Sequence, residues 1–279
     1  MRRKQRELTE LLTFFKSKCC FTRTFLQNSV TFSICVIPIV LSTLRICNRV
    51  QNEMSMLYTF GLELNYHLTL ILSFTKSLAI NILYPTWINL VVQSYCLLCH
   101  GASKLISDLI VEIKDCSPQE FTISKQKEIL KMESTIHKAV LEIQSIFSLT
   151  SFLICIAHFC VCITILTAFI TVTNSEHSFF GESVYILYFF NSFGGLLTCL
   201  WVAGACPNKA QNFKEAFGRK IRERKLHERR FKEVCFAESL NEISDYTLTG
   251  CEVIYFQRSS ILALSGTLLT YTFLLISWR

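Results

Sequence analysis

Apolar residues in this chain come in long runs rather than in the stripes or alternations of a soluble fold. No Asp, Glu, Lys or Arg occurs from Thr24 to Leu44, Ser77 to Ser103, Ile143 to Ser175, Ser183 to Asn208, or Ser259 to Trp278. A helix needs about 20 residues without an unpaired charge to cross the hydrocarbon core of a bilayer. The run from Ile143 to Ser175 is long enough to span with tilt or a helical extension. A soluble core helix has no reason to be apolar all round, so each run reads as a membrane span.

The stretch from Leu57 to Ser103 is too long for one straight pass, since it would measure roughly 70 Å at about 1.5 Å per residue. Pro85, in Leu83-Tyr84-Pro85-Thr86-Trp87, lacks a backbone donor and pushes Tyr84 out of helical geometry. A tight turn there gives passes at about 62–83 and 86–107, and six passes in all. Between the spans, residues 104–142 carry mixed charge with Ile110, Ile113, Ile123, Ile129, Leu130, Ile136, Val140 and Ile143 near helical spacing. Two helices are expected there, broken near Cys116-Ser117-Pro118. Residues 209–245 read as a further charged helix. The fold class is all-α: a polytopic membrane helical bundle with cytoplasmic helical extensions. Its parts are a basic amphipathic lead-in at 1–28, three spans within 29–107, a helical loop at 108–142, two spans within 143–205, a basic helical region at 206–257, and a last span at 258–279.

Composition agrees, with 51% hydrophobic and 18% charged residues and only 9 Gly and 4 Pro. Collagen, low-complexity sequence and intrinsic disorder are thereby excluded. The distribution of charge sets the orientation, because Lys and Arg close to a span are retained on the cytoplasmic side. Pro207 to Val234 holds ten basic residues against four Glu, which is most of the chain's net charge of +7. Thr173 to Glu182 has no Lys or Arg. The first loop is expected inside and the second outside, which sends the last span outward and leaves Arg279 extracellular in the plasma membrane. The amino terminus conflicts with this. It is not a cleavable signal peptide, because no apolar core follows Met1-Arg2-Arg3-Lys4 before Lys16. With six passes its seven basic residues would lie outside. Either 57–107 crosses once, partly re-entrant, or a first span is missing from this chain.

Candidate chemistry is sparse. Cys96-Leu97-Leu98-Cys99-His100 has the spacing of c-type haem attachment but sits in an apolar helical run, where packing is the simpler reading. Cys155, His158 and Cys162 share a helix face without an evident fourth metal ligand. Most of the 14 cysteines lie in spans as small apolar residues, so no disulfide framework, cofactor or metal is expected. Lys76 faces either the bundle interior or, by snorkelling, the membrane surface. No Walker, zincin or nucleophile-elbow motif is present, so no enzyme is expected. The basic stretch at 219–232 suits anionic lipid or cytoplasmic retention rather than nucleic acid.

The carboxyl-terminal stretch is more specific. Leu248-Thr249-Gly250-Cys251-Glu252-Val253-Ile254-Tyr255-Phe256-Gln257-Arg258 leads to Gly266-Thr267-Leu268-Leu269-Thr270-Tyr271, five further residues, then Ser277-Trp278. This resembles the last segment of the arthropod gustatory receptors, of the insect chemoreceptor superfamily related to odorant receptors. That family ends in Thr-Tyr, five apolar residues and Gln-Phe. The pair and its spacing fit, while Ser277-Trp278 replaces the final Gln-Phe. Asn191-Ser192-Phe193-Gly194-Gly195-Leu196-Leu197, leading to Ala205-Cys206 and a charged helix, also resembles the family.

The resemblance implies seven spans with an internal amino terminus, of which this chain lacks the first. It implies a ligand-gated, non-selective cation channel that assembles as a homo- or hetero-tetramer in the lipid bilayer, with the last helix lining the pore. Leu274 and Trp278 then occupy gate positions and Ser277 that of the missing Gln. It further implies a small-molecule tastant held among the outer halves of the spans, for which Tyr84, Trp87, Tyr185, Tyr188 and Asn191 are candidates; the same residue types also gather at membrane interfaces. Two alternatives stand beside this: a G-protein-coupled seven-helix receptor, and a non-conducting truncated accessory subunit.

Overall fold

A computed structural model describes residues 2–18, 25–51, 65–171, 179–227 and 246–277. The elements in chain order are α1 (Arg2–Lys18), α2 (Phe25–Gln51), α3 (Tyr66–Asn81), a π-helical stretch (Ile82–Thr86), α4 (Trp87–Asp115), α5 (Ile123–Thr171), α6 (Phe179–Ala203), α7 (Ala205–His227), the short strands β1 (Thr249–Gly250) and β2 (Ile254–Tyr255), and α8 (Arg258–Ser277). The protein is a membrane-type helical bundle, as its charge-free runs imply. Five described stretches are long and apolar enough to cross a membrane: Gln27–Asn48, Tyr66–Asp115, Ile123–Ile170, Phe179–Leu226 and Arg258–Ser277.

Two compact units share these helices. The first comprises Met1–Phe21, Tyr95–Phe152 and Cys199–Ile261. Most of the charged sequence lies here. The break at Ser117-Pro118 falls where the sequence puts it: the Glu120 amide donates to Ser117 Oγ at 3.3 Å and the Ser117 amide to Glu120 Oε2 at 3.2 Å, a reciprocal capping arrangement. Thr122 then caps α5, its Oγ1 accepting the Lys125 amide at 3.3 Å. Ile110, Ile113, Ile129, Ile136, Val140 and Ile143 are all buried, together with Phe121, Phe213 and Phe217. The Phe121 and Phe217 rings meet edge to face at 5.3 Å. In the lead-in, Leu11 and Phe15, four apart on α1, are buried, so this helix docks by one face. The hairpin of β1 and β2 is an addition to the all-α expectation, pairing Thr249 with Tyr255 and Gly250 with Ile254.

The second unit comprises Thr22–Ser94, Leu153–Thr198 and Leu262–Arg279. Its core gathers Leu41, Ile165, Val184 and Tyr188. Where a tight turn was expected there is a kink. Tyr84 alone leaves helical geometry, at φ −144° and ψ 123°, ahead of a cis bond to Pro85. The ladder resumes at once, with the Trp87 amide donating to Ile82 O.

Candidate functional site

Pro85 cannot give Asn81 O the helical hydrogen bond that an ordinary residue at its position would. The Thr86 hydroxyl supplies one instead, from Oγ1 to Asn81 O at 2.9 Å. Asn81 is fully buried, and its carboxamide is used at both ends. Nδ2 donates to Ser42 Oγ on α2 at 2.9 Å, and Oδ1 accepts the Tyr188 hydroxyl of α6. Ser42 in turn donates to Pro38 O at 2.6 Å. One amide therefore ties three elements at membrane depth, where water is not at hand as an alternative partner.

The kink also aims Tyr84. Its ring stacks on that of Tyr188 with centroids 6.4 Å apart and planes 4° off parallel. Its hydroxyl lies 3.1 Å from Ser192 Oγ, one turn beyond Tyr188. The Arg45 guanidinium sits 5.1 Å from the Tyr188 ring centroid, a cation–π contact. Asn89 Nδ2 donates to Asn191 Oδ1 at 2.7 Å, leaving the buried Asn191 Nδ2 without an acceptor among the described residues. Asn191 also lines a cavity of about 490 Å³ between α2 and α6, walled by Phe32, Val36, Val40, Leu187 and Phe190. A second cavity of about 330 Å³ lies between α2 and α3, lined by Thr43, Leu70 and Phe74 among others. The walls are mostly apolar, a lining that suits a small organic molecule.

Of the five aromatic and polar candidates, the structure brings Tyr84 and Tyr188 together and sets Asn191 beside the larger cavity. It leaves two aside. Trp87 is 66% exposed, and Tyr185 is 38% exposed with its ring edge-on to Phe169 at 5.9 Å. Sequence reasoning missed Ser42, Asn81, Asn89 and Ser192. Their signal was present, since an Asn or Ser inside a charge-free run must find a partner.

On α8, Thr270 Oγ1 donates to Gly266 O at 2.9 Å, and Tyr271 OH lies 3.0 Å from Thr167 Oγ1 of α5. Leu274 is 56% exposed, and Ser277 donates to Leu274 O at 2.9 Å. Trp278 and Arg279 lie outside the described residues, as do 173–178 of the expected outer loop and 228–234 of the basic stretch. Cys99 is buried inside α4, its carbonyl 3.4 Å from Cys206 Sγ. Cys155, His158 and Cys162 are buried on α5, and no metal-holding group of three His, Cys, Asp or Glu side chains forms among the described residues.

This arrangement of kinked and extended helices is the fold of a solved insect olfactory receptor. The chain is similar to the insect olfactory receptor OR5 from Machilis hrabei, with a TM-score of 0.69 at 16% identity over 100% of this chain and 75% of that one. It is similar to the same receptor in complex with eugenol, with a TM-score of 0.68 at 17% identity over 99% of this chain and 75% of that one. No protein-family model and no curated protein matches the sequence.

Proposed function

We propose that the chain is a subunit of a chemosensory, ligand-gated cation channel in which α8 lines the conduction path. The observation that carries this is the condition of α8 within that fold. It is long and apolar enough to cross a bilayer, yet only 6% of its most apolar window is buried, and Leu268 is its one buried residue among those described. Helices that pack in bilayers find partners through close packing and small or polar residues, and a span so little engaged by its own chain is suited to copies of itself. A tetramer about α8 puts Leu274 at an apolar constriction that closes by dewetting and Ser277 within a turn of it.

Topology fits the same reading. Taking α3, the π-helical stretch and α4 as one kinked pass gives five passes. An outward α8 then leaves the amino terminus inside, on the side of the Pro207–Val234 basic stretch, and the conflict over its charge disappears. The Thr270-Tyr271 pair and its spacing favour a taste receptor. Tyr84, Tyr188 and Asn191 are the ligand-facing candidates, with Trp87 and Tyr185 outside the cluster. Ser277-Trp278, in place of Gln-Phe, favours a second reading: an accessory subunit that conducts only beside a related receptor.

Oocytes expressing the chain alone and with a related receptor would be tested against a panel of small phenols beginning with eugenol, with G-protein signalling blocked. The expected result is evoked cation current in at least one arrangement, and leak raised several-fold, on the order of threefold or more, by Leu274→Ala. Surface-expressed protein without current in either arrangement, or current abolished by the G-protein block, would overturn the channel reading.

A further inference from the structure

The hairpin that precedes α8 is held from outside by two side chains of α5. Around β1 the carbonyls of Leu248 and Gly250 are taken up within the hairpin, the Phe256 amide donating to Leu248 O at 2.9 Å and the Val253 amide to Gly250 O at 3.0 Å. The backbone of Thr249, and the amide of Cys251 at the start of the turn, are bonded from outside it. Gln144 Nε2 donates to Thr249 O at 2.7 Å and to Thr249 Oγ1 at 2.6 Å, while Gln144 Oε1 accepts the Thr249 amide at 3.0 Å. One helical turn on, Ser148 Oγ accepts the Cys251 amide at 2.9 Å. A carboxamide carries the donor and acceptor of a peptide group, so Gln144 completes the edge of β1 as a neighbouring strand would.

The turn that this clip holds is strained. Cys251 and Glu252 have φ of 52° and 60°, in the left-handed region that favours glycine, and neither is glycine. Consecutive outliers of this kind persist where surrounding contacts over-determine them. The chain after the turn is fixed as firmly. Ser260 Oγ donates to Tyr255 O at 2.7 Å, and the Arg258 guanidinium lies 4.4 Å from the Trp201 ring centroid. Gly204 admits this backbone, since a Cβ there would stand 3.1 Å from the Arg258 nitrogen.

We propose that Gln144 and Ser148 are positioning residues through which α5 sets the base of the last helix, the hairpin being the rigid link. The role in gating rests on the reading that α8 lines the conduction path; the positioning itself does not. Amide hydrogen exchange of the full chain in lipid nanodiscs tests it. Gln144→Glu keeps the shape of the side chain but removes the donor and sets a carboxylate against Thr249 O. It should speed exchange at Thr249 and Cys251 about tenfold, and raise exchange in the first two turns of α8, with α4 unchanged. Should Gln144→Glu not fold, Ser148→Ala should release the Cys251 amide, while Ser148→Thr, which keeps the hydroxyl, should preserve protection.

In oocytes that respond to eugenol, Gln144→Glu should shift the half-maximal concentration about fivefold or more. Wild-type exchange at the hairpin in Gln144→Glu would overturn the proposal. So would a loosened hairpin with an unaltered α8 base, whereas a loosened base with an unaltered eugenol response would overturn the role in gating alone. Protein that is silent in wild type and variants alike counts against the channel reading only, because exchange is measured without current.

Discussion

Asn81→Ala is the sharpest test of the buried cluster. It removes the donor to Ser42 and the acceptor of the Tyr188 hydroxyl, two bonds that link α2, α3 and α6. The two sides lose unequally. Ser42 keeps its bond to Pro38 O, so its hydroxyl remains satisfied, whereas Tyr188 is 8% exposed and loses the acceptor of its phenol. Interhelical side-chain bonds in membranes average about 0.6 kcal/mol and reach about 1.7, so two bonds and a small void amount to roughly 1–3 kcal/mol. Tyr188→Phe alone should cost about 0.6–1.7 kcal/mol, and the double variant should be less destabilised than the sum of the singles by a similar amount. Reversible unfolding of the purified chain in mixed micelles titrated with dodecyl sulfate measures all three. Costs that simply add, within about 0.3 kcal/mol, would show that Asn81 and Tyr188 do not act as a pair.

Gly195→Ala should destabilise the second unit by about 1–3 kcal/mol in the same titration, because the new Cβ would fall 2.9 Å from Nε2 of the buried His158 ring. Hydrogen bonding to the Ser117 side chain first, and to its amide second, holds the Glu120 carboxyl below its ordinary value. A depressed folded value means that this stabilisation is present above the unfolded value and is lost as pH falls through the folded one, so the start of α5 should loosen as pH falls below the ordinary carboxylate range; exchange at the Glu120–Gln126 amides should show that step, and Glu120→Gln should abolish it. Burial, and after it the neighbouring Glu133 carboxylate, pushes the Tyr246 phenol well above its ordinary value, so it remains a donor to Glu133 Oε1, at 2.8 Å. Tyr246→Phe should therefore cost about 1.5–3 kcal/mol in denaturant unfolding, and adding Glu133→Gln should restore part of it by removing the unpaired charge.

The helical membrane-type character of the fold was legible because charge is excluded from long runs, and the break before α5 because Ser117-Pro118 both caps and interrupts. Tyr84 was legible as non-helical from Pro85 alone. How far the chain bends there was not, because Thr86 repairs the hydrogen bond that Pro85 cannot make, and nothing local announces that repair. Partners more than a hundred residues apart, such as Asn81 with Tyr188 or Gln144 with Thr249, leave no trace in a single sequence. Runs that are apolar all round carry no periodicity either, so the face each helix buries is hidden. Trp87 shows this: composition recommends it, and only the structure shows that it follows the kink on an exposed face. The docking of α1 escaped notice because two buried residues among many charges make a weak stripe.

The polar residues of the spans divide into two kinds, and the hydroxyls of α8 are mostly of the second, as are Thr43 of α2, Thr75 of α3 and Thr198 of α6. In the cluster, Asn81, Tyr188, Asn89 and Asn191 spend their hydrogen bonds across helices, which fixes those helices to one another. On α8, Thr267 donates to Ala263 O at 2.9 Å, Thr270 to Gly266 O at 2.9 Å, Thr272 to Leu268 O at 2.8 Å and Ser277 to Leu274 O at 2.9 Å. These bonds return to the helix's own backbone, so the hydroxyls are satisfied without a neighbour. Tyr271 reaches across to Thr167, while Leu262, Leu269, Phe273, Leu274 and Ile276 lie exposed. A helix that settles its own polar groups and keeps its apolar sides free can change what it packs against without breaking a buried hydrogen bond. A cross-linked helix cannot. The cluster is accordingly the fixed frame of the second unit, while α8 is lightly held along its length.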